Sequence, residues 1–314
     1  MRRYKLFTLD TPYREPLSVI GFEFGNPDAE NSVAIVGSLR GNEHQQTYIC
    51  ANMVSELEKL EDAGQLAEDA HILVIPCANA FSMNISNRFW PMDNTDINRM
   101  FPGYDQGETT QRIADGIFRV VKDFKYGIQL CSYYLPGEFA PHVRITDTGC
   151  IDMEASLALA EEFGVPYVMR KQPAPFDTTT LNYNWQVWET LAYSLYSCET
   201  DFIDEASAQF VQRCILRFLN TVGASKQPIE RECETLRFEE GSLINLRTSH
   251  AGFFRLKTTA GAQVRAGEVI AEVLSTDDCR VLERIESPVD GLVFFHHVAS
   301  LINAETIAFK VLPD

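Results

Sequence analysis

The chain has 314 residues, which is enough for one large domain or for one large and one small domain. Hydrophobic residues make up 45% and charged residues 23%, which excludes a disordered or low-complexity chain. The net charge of −17 repels phosphate backbones, so we expect no nucleic-acid partner. No segment is apolar for long enough to cross a bilayer and no signal peptide is recognised, so we expect a cytoplasmic protein without a membrane partner.

Strand-like and helix-like stretches alternate over residues 1–226. In chain order, the predicted elements are strand 33–37, helix 44–60, strand 72–76, helix 109–124, strand 127–130, helix 153–163, strands 166–169 and 192–196, and a helix capped by Asp204 that runs to Asn220. This alternation predicts an α/β sheet with helices on both faces. Between the second strand and the next helix, residues 79–106 are irregular, and a loop of that length is usually functional.

Residues 227–314 have a different character, with short β-rich runs separated by glycine. The segments 267–271 and 304–308 are alike, which predicts a small all-β module of two similar halves, as in the lipoyl/biotinyl-carrier barrel. A carrier presents a lysine between the halves, whereas residues 275–280 contain none. We therefore predict two domains, 1–226 and 227–314, the second with a structural or interaction role.

Four segments carry the residues best suited to catalysis, ligand binding or metal binding. The first is Gly37-Ser38-Leu39-Arg40-Gly41-Asn42-Glu43. The second is Asn79-Ala80-Phe81, followed by Arg88, Pro91 and Asp96-Ile97-Asn98-Arg99-Met100-Phe101-Pro102-Gly103. The third is Ile128-Gln129-Leu130-Cys131, and the fourth is Leu195-Tyr196-Ser197-Cys198-Glu199-Thr200. In this order they resemble the succinylglutamate desuccinylase/aspartoacylase family of zinc-dependent deacylases, over nearly the whole chain. The resemblance implies a zinc-carboxypeptidase-like three-layer αβα domain with a mixed sheet, followed by the small barrel.

The resemblance also implies a mechanism. Zinc would be held by a His and a Glu three residues apart and by a His after a later strand, and its bound water would attack an amide carbonyl. By the same resemblance, Glu199 aligns with the general base, Arg88 with the group that polarises the carbonyl, and Asn98 with Arg99 as the clamp for the substrate carboxylate. Zinc lowers the pKa of its water to about 7, and a nearby carboxylate moves the proton.

Two of the three positions that correspond to zinc ligands are altered. Glu43 matches, but Arg40 stands where the first His belongs, and a guanidinium has no lone pair to give. Cys131 stands where the second His belongs and is either a replacement ligand or a plain core thiol, and Gln129 replaces the usual Asp before it. His44, next to Glu43, would point about 100° away on a helix, and nothing favours His142 as a substitute.

These residues leave two functions open. One is a hydrolase with zinc as cofactor and a degenerate metal site, which deacylates an N-acylated amino acid or a similar small carboxylate. The other is a metal-free protein that binds a small carboxylate in the same cleft through Asn98, Arg99 and Arg40. In the second case we expect Arg40 to pair with a carboxylate such as Glu43 or Glu199, so that a fixed charge replaces the metal. A homo-oligomer formed through the β-rich tail is a further expectation, and His296 and His297 are expected to be solvated.

Overall fold

The structure is a computed structural model that describes residues 1–13, 15–133, 136–197 and 200–314. The strands up to residue 239 are β1 (Arg2–Leu9), β2 (Leu17–Gly25), β3 (Asn31–Ser38), β4 (Ala70–Cys77), β5 (Tyr126–Cys131), β6 (Gly137–Phe139), β7 (His142–Thr146), β8 (Tyr167–Lys171), β9 (Leu191–Tyr196) and β10 (Leu236–Glu239). The helices are α1 (His44–Asp62), α2 (Ala80–Met83), α3 (Thr109–Val121), α4 (Met153–Glu161), α5 (Leu181–Val187) and α6 (Glu205–Thr221).

A nine-stranded mixed sheet forms the centre of the molecule, in the order β1-β2-β4-β3-β5-β9-β7-β8-β10. Strands β4, β3, β5 and β9 run parallel, while β1 and β2 add antiparallel pairs at one side and β7 is antiparallel to β9. The parallel strands are buried along their length, which is typical of a sheet covered on both faces. The predicted α/β class with a large mixed sheet is confirmed.

Helices cover both faces of this sheet. On one face, α1, α4 and α6 contribute Met53, Leu157 and Val211 to an apolar cluster with the sheet. On the other face, α3 and α5 contribute Ile117 and the fully buried Trp185 to a second cluster. The boundaries lie close to the predicted ones, and Asp204 caps α6 as expected by accepting hydrogen bonds from the backbone of the first turn.

The rest of the chain forms strands β11 (Ile244–Arg247), β12 (Gly252–Leu256), β13 (Gln263–Val264), β14 (Val269–Leu274), β15 (Val281–Glu286), β16 (Gly291–His297), β17 (Leu301–Ile302) and β18 (Ile307–Pro313). They build two antiparallel sheets, β11-β18-β16-β13 and β15-β14-β12-β17. The likeness to a lipoyl/biotinyl-carrier barrel and the division at residue 226 stay predictions. The β-rich segment is closely joined to the large sheet, because β10 pairs with β8 and β6 pairs with β16.

Several features were not expected from the sequence. Strands β1 and β2, at the edge of the sheet, and strand β7 were not predicted. The prediction that His296 and His297 are solvated is wrong, because β16 is buried on both faces and these residues are 1% and 4% exposed. Within the described residues, no helix has the length and apolar character that a membrane span requires.

His142 at the start of β7 lies at the junction between the large sheet and β16. Its ring stacks on Tyr196, with centroids 4.4 Å apart, and packs against Phe294. Burial lowers the pKa of His142 to about 3, and the contact of Nδ1 with the carbonyl oxygen of Ala140 at 2.9 Å opposes this only in part. The native state therefore holds a neutral imidazole well into the acid range.

We predict that His142 makes the protein less stable as the pH falls below 6.5. The unfolded chain takes up the proton near pH 6.5 and the native state does so only near 3, so the stabilisation present above 6.5 is lost on acidification. By pH 5 the loss amounts to about 2 kcal/mol. Urea unfolding at pH 7 and pH 5 measures it, with His142→Gln expected to flatten the pH dependence and the exposed His250→Gln as control. An unchanged slope in His142→Gln would contradict the assignment.

Candidate functional site

A cavity of about 290 Å³ opens where the carboxyl ends of β3, β5 and β9 meet. Arg40 follows β3, Cys131 ends β5, and Tyr196 ends β9. Ligand sites in such sheets occur at this edge. The residues that line the cavity are Arg40, Asn98, Arg99, Gln129, Cys131, Ser132, Tyr133, Arg144, Lys171, Gln172, Ala174, Phe176, Asp177, Thr180, Asn182, Tyr196 and Glu240.

Glu43 is buried at the floor of this region, and donors surround its carboxylate. It precedes α1, but its side chain turns back, and Oε2 accepts hydrogen bonds from the backbone N–H groups of Leu39 and Arg40, both at 3.0 Å. Oε1 accepts from Ser132 Oγ at 2.6 Å and from Arg40 Nη1 at 3.2 Å. Both oxygens are therefore bound within the protein, so Glu43 needs no metal to satisfy its charge.

Arg40 links Glu43 to a second, partly buried carboxylate, that of Asp96. Its Nε and Nη2 both lie 3.0 Å from Asp96 Oδ2, and the arginine is only 5% exposed. The other Asp96 oxygen accepts from the backbone N–H of Asn98 at 3.0 Å. The predicted pairing of Arg40 with Glu43 is thus present in the structure, and the second partner is Asp96. Burial by itself lowers the pKa of Arg40, but the charges of Asp96 and Glu43 outweigh it and raise that pKa above its usual value.

Cys131 is a buried thiol next to this network. Burial raises its pKa to about 11, although the charge of the nearby Arg144 acts in the opposite direction. Its Sγ lies 3.5 Å from the carbonyl oxygen of Gln129. A thiol in this state is a weak donor rather than a thiolate ligand.

The raised pKa predicts that Cys131 resists alkylation. At pH 8 only about one thiol in a thousand is ionised, so iodoacetamide should modify Cys131 at least about 100-fold more slowly than the exposed Cys150 and Cys279. Peptide mass spectrometry over a time course measures the three rates, and the same reaction in urea supplies the control in which all three react. Modification of native Cys131 at the rate of Cys279 would show that its thiol is ionised.

The proposed carboxylate clamp lines the cavity, but its groups already have partners within the protein. Asn98 Oδ1 accepts from the backbone N–H of Leu181 at 3.2 Å. Arg99 donates from Nη1 to the carbonyl oxygen of Phe176 at 2.7 Å and lies 3.6 Å from Asp177 Oδ1. Asn98 therefore uses its acceptor oxygen within the protein and keeps its Nδ2 donor for a ligand, whereas Arg99 already uses part of its donor capacity.

Of the two predicted catalytic residues, Arg88 is among the residues that the structure describes and Glu199 is not. Arg88 is half-buried and donates from Nη1 to the carbonyl oxygen of Tyr133 at 3.0 Å, outside the cavity lining. Burial, with the charge of Arg40, lowers its pKa to about 10, so it stays a cation at neutral pH. Glu199 lies outside the residues that the structure describes, and its role as a base stays a prediction.

The donor set around Glu43 does not fit zinc. The group three residues before Glu43 is a protonated guanidinium that contacts the carboxylate itself, and Glu43 with Cys131 would supply only two donors where a catalytic zinc has three. His44 points elsewhere, with Nδ1 at 2.7 Å from the carbonyl oxygen of Asp201 and Nε2 at 3.2 Å from Ser86 Oγ. In the described ranges, His, Cys, Asp and Glu side chains nowhere gather in groups of three or more that would hold a metal.

Sequence reasoning missed several cavity residues. Asp96 was part of a recognised motif, but no partner was assigned to it. Arg144 stands between apolar neighbours in Val143-Arg144-Ile145, and a lone cation inside a buried strand is the signal that would have singled it out. Lys171 and Asp177 are six residues apart, but Glu240 and Arg40 are remote from both, so only the folded structure brings these charges to one cavity.

Comparisons with known proteins agree with this architecture. Residues 29–191, just over half of the chain, match the model of the succinylglutamate desuccinylase/aspartoacylase catalytic domain. A curated relative, the N-alpha-acetyl-L-2,4-diaminobutyric acid deacetylase of Halomonas elongata, is 33% identical over 85 residues. That match spans 26% of this chain and only about a quarter (24%) of the relative's length.

Solved structures resemble the chain along its whole length. A succinylglutamate desuccinylase from Silicibacter sp. TM1040 superposes with a TM-score of 0.85 at 17% identity, covering 99% of this chain and 94% of that one. The product-bound ectoine utilization protein EutE from Ruegeria pomeroyi gives 0.84 at 17% identity, covering 100% and 95%. At such low identity these structures show the shared fold. With the match to the catalytic-domain model, they place the chain in the succinylglutamate desuccinylase/aspartoacylase family, of which it is a member.

Proposed function

We propose that the protein binds a small carboxylate ligand in this cavity without using zinc. The observation that carries this proposal is the guanidinium of Arg40, which lies 3.2 Å from Glu43 and 3.0 Å from Asp96. A permanent cation between the buried Glu43 and the partly buried Asp96 supplies the charge that a divalent ion would otherwise supply. The guanidinium of Arg40 itself has no electron pair to donate to a metal.

The lining of the cavity supports an anionic ligand. Four cations, Arg40, Arg99, Arg144 and Lys171, face it together with two acids, Asp177 and Glu240. Amide side chains add neutral hydrogen-bonding groups. A cavity of about 290 Å³ suits a small molecule of amino-acid size.

Deacylation is the second candidate. It is favoured by membership of a deacylase family and by the 33% sequence identity over 85 residues with the Halomonas elongata deacetylase. In this case Arg88 would polarise the carbonyl, Asn98 and Arg99 would hold the substrate carboxylate, and Glu199 would act as base. The water would need activation by these groups alone, because the donor set around Glu43 does not suit zinc.

Two measurements on the purified full chain test the proposal. Zinc content after incubation with excess zinc and gel filtration is expected to be well below one ion per chain. Small carboxylates, including acetate, succinate, aspartate and their N-acetylated or N-succinylated relatives, are expected to raise the melting temperature without being cleaved. Stoichiometric zinc that is lost in Glu43→Ala, together with release of acetate or succinate, would contradict the binding function and support zinc-dependent hydrolysis instead.

We further propose, on the sequence alone, that the segment 227–314 is a lipoyl/biotinyl-like barrel without a carrier lysine. A homo-oligomer formed through this segment stays a proposal, and size-exclusion chromatography with light scattering tests it. Nucleic acid is not a proposed partner, because the net charge of −17 repels phosphates.

A further inference from the structure

Arg144 is the cation of the cavity without a counter-charge in contact. Arg40 is paired with Glu43 and Asp96, Lys171 Nζ lies 2.5 Å from Asp177 Oδ2, and Arg99 also faces Asp177. By contrast, the side chain of Arg144 makes no hydrogen bond or ion pair with any part of the chain that the structure describes, and its buried Nε has no partner. Its guanidinium rests over the Tyr196 ring, with Cζ 5.1 Å from the centroid.

Arg144 is half-buried, and a guanidinium whose Nε is taken out of water without a partner loses hydration that a ligand can replace. Unpaired buried charges are rare in proteins because desolvation is not compensated. The guanidinium lines the cavity and presents a planar fork that matches a carboxylate. Tyr196 fixes its orientation through its ring face, so little freedom is lost on binding.

Glu240 supplies the opposite charge on the same cavity. It comes from the short turn after β10, is half-buried, and its side chain has no hydrogen bond or ion pair within the described ranges. It lies within electrostatic reach of Arg144 and of Lys310: burial lowers the pKa of Lys310 and the charge of Glu240 opposes this only in part, while at Arg144 the same charge is one of several that raise the pKa against burial. The cavity therefore offers one unpaired guanidinium and one unpaired carboxylate.

We infer that Arg144 and Glu240 form a subsite for a free α-amino acid, with the carboxylate of the ligand on Arg144 and its ammonium group on Glu240. This inference rests on the proposed carboxylate-binding function and names the ligand class. A zwitterion satisfies both unpaired groups at once, whereas an N-acylated amino acid has no ammonium to offer Glu240. A neutral zwitterion also escapes the long-range repulsion that a chain of net charge −17 exerts on anions.

The test uses the full-length protein and a defined set of probes. The twenty α-amino acids and their Nα-acetylated counterparts are screened by thermal shift, and isothermal titration then gives Kd for the best pair. We expect the free amino acid to bind at least about tenfold more tightly than its acetylated form, as for one charge-assisted hydrogen bond.

Matched variants assign the two charges. Arg144→Met is expected to weaken binding of the amino acid by about 10- to 100-fold. Its control is Arg170→Met, because Arg170 lies on the adjacent strand and pairs with Asp147 away from the cavity. Glu240→Gln is expected to weaken binding of the free amino acid and to leave binding of the acetylated form unchanged. Glu239→Gln, at the neighbouring position, is its control. Circular dichroism verifies that each variant is folded.

The outcomes separate the inference from the function on which it rests. Equal or tighter binding of the acetylated form, or variants of Arg144 and Glu240 that behave like their controls, would overturn the amino-acid subsite while carboxylate binding stands. If none of these acids or the simple carboxylates binds, the carboxylate-binding function itself falls, and the subsite with it.

Discussion

Replacing Arg40 by methionine is expected to lower the free energy of unfolding by about 3–5 kcal/mol, the range found when one partner of a buried ion pair is removed. Arg40 is 5% exposed and satisfies two carboxylates, Glu43 and Asp96. Methionine fills a similar volume but leaves both acids buried without their cation. Urea unfolding at neutral pH, followed by tryptophan fluorescence, measures the change.

Arg119→Met is the matched control for this experiment. Arg119 also contacts two carboxylates, Asp105 and Asp115, both at 3.0 Å, but its side chain is 61% exposed. Exposed pairs contribute about 0–1 kcal/mol, because water and salt screen them. Similar losses for the two variants would mean that Arg40 is not the buried electrostatic centre of the site.

The central sheet was largely predictable because its parallel strands are buried on both faces. Val33 to Gly37 and Ile72 to Pro76 are continuous apolar runs, and such runs indicate strands without any knowledge of their partners. Strand β1 escaped prediction because it forms the edge of the sheet and carries Arg2, Arg3 and Lys5, which mask an alternating pattern.

The resemblance placed Asn98, Arg99 and Cys131 at the site, but the contacts of the ion network were predictable only between residues close in sequence. Arg40 and Glu43 are three residues apart, so their pairing followed from local spacing and charge. Asp96 is 56 residues from Arg40, and Ser132 is 89 residues from Glu43. Their hydrogen bonds depend on how the strands assemble, which the spacing of residues does not encode.

The altered positions form a self-consistent polar network. Glu43 receives four hydrogen bonds from groups of the protein. Gln129, which stands where the family pattern has Asp, accepts at Oε1 from Asn182 Nδ2 at 2.6 Å. A buried carboxylate needs partners, and here neighbouring side chains and backbone provide them. The changes at positions 40, 129 and 131 are therefore best understood together.

If Arg40 and Cys131 together account for the absence of a zinc site among the described residues, placing imidazoles at both positions should create metal binding. The double variant Arg40→His/Cys131→His removes the cation, frees Glu43 Oε1 from the guanidinium, and supplies two nitrogen donors at the positions that the family pattern assigns to zinc ligands. Three protein ligands are the usual number at a catalytic zinc site. We expect about one zinc ion per chain in the double variant after gel filtration, and far less in the unmodified protein.

The single variants identify the cause of the gain. Cys131→His retains the guanidinium beside Glu43 and is expected to bind no zinc, because a fixed cation repels a divalent one. Arg40→His alone leaves Cys131, a buried thiol whose pKa burial raises, as the third group, and the variant is expected to bind zinc only weakly. Zinc should raise the melting temperature of the double variant alone, since a ligand at 1,000 times its Kd stabilises the native state by about 4 kcal/mol. Tight zinc binding by Cys131→His would show that Arg40 turns aside and that the charge at position 40 does not exclude the metal.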